Sequence, residues 1–348
     1  MNDIAVPPPS RWALARRASA DLALRLGGLF LAILVVGLIF TLTTPNHAFL
    51  TTDVLISLLR SMASIAIMAL GLTLVIVVGE IDLSVGAVYG IAANSLAAMW
   101  ILGGVPVYLA IFLALGIGGI VGLFNGVLTT ALGIPSFIVT LGTYNLLYGF
   151  SLYVSNTSTF NPAYPPEGHT VSQGQLDFFT SLTKQLGSHN FSIEIFWMVG
   201  LALLVAFLLH RTLFGFRLMA IGGNPAAARL ARLPVRRYKI LAFVLAGVLA
   251  AAAGILDFSF IGTVQPDIGL SSTFPVFAAV IIGGASLSGG RGTVIGTIGG
   301  ALLLAEITTG LALLSLGPYA QQLFLGIVTI TAVALDVLLI RVRARRAA

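Results

Sequence analysis

VPVYLAIFLALGIGGIVGLFNGVLTTA, residues 105–131, runs for 27 residues without one charged side chain. At 1.5 Å per residue a helix of that length reaches about 40 Å, more than the roughly 30 Å hydrocarbon core of a bilayer. The run is part of a wider interval, Leu83 to Pro166, that contains no Asp, Glu, Lys or Arg. Three spans joined by very short turns fit inside it. Working outward on the same criterion, ten segments are long and apolar enough to cross, near 24–42, 55–78, 83–101, 105–131, 136–153, 193–210, 240–258, 272–289, 293–311 and 319–340. The expected fold is all-α, a polytopic transmembrane helical bundle of about ten spans. A re-entrant segment in place of one pair of spans would leave eight and keep the same parity.

Composition agrees. Of 348 residues, 58% are hydrophobic and 9% charged, against about 25% charged in soluble domains. A water-soluble fold has no way to hide so much apolar surface, whereas lipid solvates it. With no Cys, disulfides and thiolate metal sites are excluded, and no metal or cofactor is expected. The formal charge of +6 raises nucleic acid as a partner, but the positions of the charges argue against it. Basic residues cluster at Arg11 to Arg25, Arg211 to Lys239 and Arg341 to Arg346, each beside long apolar runs, as Lys and Arg mark cytoplasmic loops. With ten alternating spans and the first cluster inside, only Arg60 and Lys184 of the 18 basic residues fall toward the other side.

The chain therefore reads as a leader, 1–23, followed by one transmembrane domain, 24–348, with both termini expected in the cytoplasm. No small-residue cleavage site follows the first span, so the leader is not a signal peptide. Two loops stand out: an external polar loop, 154–192, and an internal basic loop, 211–239. Gly118, Gly122 and Gly126 repeat at spacing four in the fourth span, as Gly292, Gly296 and Gly300 do in the ninth. Those spans run in opposite directions. The echo fits an inverted repeat of the kind transporters use, or ordinary tight packing of two glycine-rich helices.

Catalytic motifs are missing. His47, His169, His189 and His210 lie in loops or at span ends. A P-loop needs Gly-Lys-Ser/Thr after a glycine-rich turn, and the only lysines, Lys184 and Lys239, follow Thr183 and Tyr238. The chain is expected to be no enzyme and to carry no ATPase of its own. The most informative stretch is Gly222-Gly223-Asn224-Pro225-Ala226-Ala227-Ala228-Arg229-Leu230-Ala231-Arg232-Leu233-Pro234. The glycines permit a sharp turn, Asn224 is a good N-cap, and Pro225 suits the first helical position. A short helix reaching about Leu233 would put Ala226, Ala227, Leu230 and Leu233 on one face, flanked by Arg229 and Arg232. A capped helix at the cytoplasmic surface is suited to docking in a partner's groove.

Here the chain resembles the membrane permease subunits of bacterial ABC sugar importers, the ribose-type permease family. Three ordered motifs carry the resemblance between about residues 30 and 340. Gly79-Glu80-Ile81-Asp82-Leu83-Ser84-Val85-Gly86 is similar to the family's Gly-Gly-Ile-Asp-Leu-Ser-Val-Gly, with Glu80 replacing Gly. Pro135-Ser136-Phe137-Ile138-Val139-Thr140-Leu141-Gly142-Thr143 matches its Pro-x-Phe-Ile-x-Thr-Leu-Gly-Thr. Gly222 to Leu233 resembles its Gly-Gly-Asn-x-x-Ala-Ala-x-Leu-x-Gly-Ile loop, with Arg232 where Gly is usual. The resemblance implies a subunit that pairs with a second permease as a homodimer or heterodimer. It also implies a separate cytoplasmic ABC ATPase that touches loop 211–239, a periplasmic solute-binding protein that delivers substrate, and a monosaccharide or another small solute such as a branched-chain amino acid as cargo.

For the solute path, Asn94, Asn125, Thr140, Thr143, Tyr144 and Asn145 are the candidates, because side chains that donate and accept suit an uncharged, hydroxyl-rich molecule. Each could instead bridge neighbouring helices. Asp82, with Ser84 and Gly86, is expected to hold the start of a helix as a structural motif. Asp257, Glu306 and Asp336 are carboxyls in or near spans; Asp336 is expected to snorkel. An ion-coupled secondary transporter using Glu306 and Asp257 is the rival.

Overall fold

A computed structural model describes residues 11–347, with side chains over 26–331 and at Ala334. The helices in chain order are α1 Arg11–Thr43, α2 Thr52–Val77, α3 Val85–Ala97 (continued as a π-turn over Ala98–Leu102), α4 Val107–Ala131, α5 Ser136–Ser155, α6 Gln173–Ser181, α7 Glu194–Arg211, α8 Leu213–Gly223, α9 Pro225–Leu230, α10 Val235–Ile261, α11 Thr273–Ile282, α12 Val294–Leu313 and α13 Pro318–Ala347. A two-residue hairpin, Gln185–Leu186 with Phe191–Ser192, is the only sheet among the described residues. The chain is an all-α polytopic membrane bundle. Among the described residues, eight helices are long and apolar enough to cross a membrane, and these are the first seven expected spans and the ninth. The tenth is α13, with the expected snorkelling Asp336 outside the described side chains. The eighth differs. Its apolar run continues to residue 289, but α11 is only 10 residues long because Gly283 ends it and Gly284 turns with φ +85°.

Helices α2 and α10 cross at the centre of the bundle. A Cβ on Gly71 would stand 2.8 Å from Ala246 Cα, so glycine is what allows the two backbones to meet. The pair is antiparallel: Lys239 at the start of α10 pairs with Glu80 just after α2, and Arg60 near the start of α2 pairs with Asp257 near the end of α10. The residue that replaces the family's second Gly in the first motif, Glu80, thus acquires a cation as its partner.

The other helices are arranged around this pair in duplicate. α4 packs on α10, where Gly118 and Gly122 meet the carbonyls of Gly247 and Phe243. α12 packs on α2, where Thr73 and Thr297 share a 2.7 Å hydrogen bond and Gly292 abuts Val77. α3 packs on α10 and α5, as α11 packs on α2 and α13. Exchanging α2–α5 with α10–α13 reproduces the set of packed pairs, and the antiparallel central crossing makes the relation inverted. Both glycine stripes are helix contacts, that of α12 lying chiefly against Gly283 and Ala279 of α11.

Two breaks complete the repeat: residues 78–84 before α3, and 262–272 before α11, the latter ending in a 3₁₀ turn over Leu270–Ser272. At one end of the bundle α6 closes over it, with Phe179 edge-on to Trp100 and Phe258 at centroid distances of 5.1 and 4.9 Å. It covers the ends of α3 and α10, while Phe178 and Leu186 stay exposed.

Candidate functional site

Two regions hold the candidate residues. The first is the basic loop. α8 ends at Asn224, whose extended backbone (φ −153°, ψ 91°) and side-chain oxygen, 2.9 Å from the Ala227 N–H, make it the N-cap of α9. Pro225 takes the first helical position as expected. The helix stops at Leu230, three residues earlier than its composition implies. Arg232 adopts a left-handed conformation, φ 57°, and the Leu233 N–H reaches back 3.0 Å to the Ala228 carbonyl. This closure satisfies the last carbonyls of a helix and normally uses Gly at the left-handed position. Arg232 therefore keeps the backbone geometry of the Gly it replaces. Leu233, beyond the helix, is half-buried; Ala226, Ala227, Arg229 and Leu230 are exposed, Leu230 at 88%. Only Ala228 of the helix is buried.

Behind this surface lies a junction of backbones. A Cβ on Gly222 would sit 1.9 Å from the Val77 carbonyl oxygen and 2.6 Å from the Gly290 nitrogen. The Gly290 N–H itself donates to Val77 O at 2.8 Å. The end of α2, the root of α9 and the turn between α11 and α12 thus touch through glycines. The Gly222-Gly223 pair hinted only at a turn in sequence; the double glycines 283–284 and 289–290 were the signal for the remainder of the junction.

The second region is the break at 78–84. Its backbone donors need partners because they lie outside any helix. The Ile81 N–H donates to Ser136 Oγ at 3.1 Å and the Leu83 N–H to Thr140 Oγ1 at 3.0 Å, while Asp82 accepts from Ser84 N and Oγ at 2.8 and 2.6 Å. Asn125 Nδ2 donates to Ser84 Oγ at 2.9 Å, and Thr143 Oγ1 donates to Asn125 Oδ1 at 2.7 Å. The first two sequence motifs are therefore partners in space: Ser136, Thr140 and Thr143, spaced along one face of α5, clothe the segment carrying Asp82. Gly86 opens α3 against the Gly269 carbonyl.

This arrangement separates the six neutral polar candidates. Asn125, Thr140 and Thr143 are buried in helix-bridging bonds, and Asn94 is buried with Nδ2 on the Gln265 carbonyl at 3.1 Å. Tyr144 is half-buried with its hydroxyl 3.5 Å from Leu270 O, and Asn145 is exposed. Asp257 is engaged by Arg60 and the Tyr89 hydroxyl, and Arg60 also donates to the fully buried Glu194 at 3.2 Å and lies 3.6 Å over the Phe260 ring. Glu306 is buried beside Gly37 of α1. Among the described residues no cluster of three His, Asp or Glu side chains could hold a metal ion.

Comparison with known proteins follows the same lines. The family described as branched-chain amino acid transport system / permease component matches residues 54–333. The chain is 35% identical to ribose import permease protein RbsC of Escherichia coli (strain K12) over 308 residues, 88% of this chain and 92% of that protein. It is 36% identical to RbsC of Bacillus subtilis (strain 168), covering 89% and 90%, and 32% identical to fructose import permease protein FrcC of Rhizobium meliloti, covering 88% and 84%.

Proposed function

The chain belongs to the branched-chain amino acid transport system / permease component family, and from that premise we propose that it is the membrane-spanning subunit of an ABC importer for a monosaccharide. A separate cytoplasmic ATPase supplies the energy, a periplasmic binding protein delivers the solute, and a second permease chain completes the passage. Both termini and loop 211–239 face the cytoplasm, and loop 154–192 faces outward.

The observation that carries this reading is the capped helix α9 with its exposed Leu230, seated on the glycine junction. An apolar side chain at 88% exposure beside Arg229 and Arg232, on a helix ordered at both ends, is a docking surface of the helix-in-groove type. A self-sufficient carrier has no use for it. Displacement of α9 by ATPase closure would press Gly222 on Val77 and Gly290. It would thereby move the ends of α2 and α12 together, switching access between the two faces. The rival, ion-coupled reading is weakened by Asp257, which is already neutralised by Arg60.

The test is co-purification of the chain with its cognate ATPase. Ala227→Glu places a bulky anion on the small-residue face, and Asn224→Ala removes a cap worth about 1 kcal/mol. The expected outcome is an inserted, folded permease that loses the ATPase or loses uptake. Normal binding and uptake by Ala227→Glu would reduce the loop to a topological marker.

A further inference from the structure

We propose that the break at 262–272 lines the solute pathway and that the Asp267 carboxylate takes the hydroxyl groups of a neutral sugar. The sugar rests on the importer reading; the water-facing surface does not.

The depth of this segment follows from its contacts with α3. The Gln265 carbonyl accepts from Asn94, and the carbonyls of Ile268 and Gly269 lie where Cβ atoms on Gly90 and Gly86 would be, each 2.3 Å away. Counting from Leu102 at the outer end of that helix, 1.5 Å per residue puts Asn94, Gly90 and Gly86 about 12, 18 and 24 Å down. The segment therefore begins under loop 154–192, where Val264 and Phe160 exchange two backbone hydrogen bonds of 3.0 Å, and then runs down along α3 to the level of Gly86 before α11 begins. Non-helical backbone at that depth is tolerated only where it is buried in protein or lines a water-filled cavity. One side of the segment is buried against α3. The other carries Gln265, Asp267, Ser271 and Phe274, all exposed.

An exposed carboxylate at that depth is incompatible with lipid. This face is therefore turned away from lipid, toward the passage that the second permease chain completes. The inverted repeat sharpens the choice of residue. The matching break at 78–84 also carries an aspartate shortly before its helix, but Asp82 is buried and occupied by Ser84. Asp267 has no side-chain partner among the described residues. Tyr144 of α5 reaches the same segment, its hydroxyl 3.5 Å from the Leu270 carbonyl. An ionised carboxylate only accepts, the exposed Gln265 amide donates and accepts, and Phe274 offers an apolar face for ring C–H groups. That combination suits a neutral polyol and disfavours an anionic solute.

The absence of native Cys allows a direct test. Single cysteines at 267 and at Phe207, an exposed residue of α7, are treated with a charged methanethiosulfonate in membranes opened on both sides. Since only a hydrated thiolate reacts, position 267 should label and 207 should not. D-ribose, D-fructose or D-galactose should slow labelling at 267. A 267 thiol as inert as that at 207 would overturn the pathway assignment. In the complete transporter, Asp267→Asn should cut uptake of the transported sugar at least tenfold while leaving ATPase co-purification intact; unchanged uptake would overturn the ligand role. If the unmodified complex took up no monosaccharide, the importer reading would fall, and reactivity at 267 would still decide whether this face is wet.

Discussion

Gly222→Ala adds one methyl group at the point where the basic loop 211–239 meets the bundle. The new carbon would stand 1.9 Å from Val77 O and 2.6 Å from Gly290 N. Non-bonded carbon contacts settle near 3.5 Å, so the backbones must separate by roughly 1.5 Å. All the opposing atoms belong to main chain, and no side chain can swing aside. Separation lifts α8 from α2 and from the turn before α12, which are themselves joined by the 2.8 Å bond from Gly290 N to Val77 O. Overpacking of this kind costs about 1–3 kcal/mol, enough to disturb a junction without unfolding a bundle of this size. Gly223→Ala is the matched control, since its Cβ would lie 3.8 Å from Gly290 Cα, an ordinary contact. Neither change touches the exposed residues of α9. The two variants are compared for ATPase co-purification, ATP hydrolysis and sugar uptake in proteoliposomes. Gly222→Ala should keep the ATPase and its hydrolysis but lose uptake at least tenfold; Gly223→Ala should match the parent. Equal uptake by the two variants would refute the idea that α9 transmits its motion through this contact.

Two further outcomes follow from local geometry. Arg232→Gly should tighten the end of α9, because a non-Gly residue in the left-handed region costs about 1–2 kcal/mol and Gly returns part of that as backbone entropy; slower amide exchange over 225–233 is the readout, and faster exchange would contradict it. Arg60→Met leaves buried Glu194 and Asp257 without their cation, a break that costs about 3–5 kcal/mol when fully buried. With Arg60 at 21% side-chain exposure, a loss of about 2–3 kcal/mol is expected, seen as a lower midpoint of thermal unfolding in detergent, and recovered in part when Glu194→Gln and Asp257→Asn are added.

Much of this molecule was legible in its sequence, for identifiable reasons. The charge-free interval 83–166 fixes three spans because lipid tolerates nothing else at that length. Asn224-Pro225 announces a helix start because capping is local chemistry. What escaped depends on distance along the chain. Arg60 finds Glu194 and Asp257 134 and 197 residues away, and no periodicity encodes such a meeting. The breaks at 78–84 and 262–272 are visible as junctions between expected spans, but nothing in their sequence says that 262–272 turns back along α3. The polarity of Asn125 and Thr143 is plain in sequence, but whether such residues face a passage or clothe a neighbouring backbone depends on where 78–84 lies. Arg232 hides a left-handed turn that Gly would have advertised.

The central claim is that transport by this chain is driven from outside it, through loop 211–239. The most direct measurement is uptake of D-ribose, D-fructose and D-galactose into proteoliposomes containing the chain, its cognate ATPase and its solute-binding protein, with each component and ATP omitted in turn. Uptake of one of these sugars should require every component and vanish without ATP or the ATPase. Robust uptake by the isolated chain under a proton or sodium gradient, abolished by Glu306→Gln, would contradict the account.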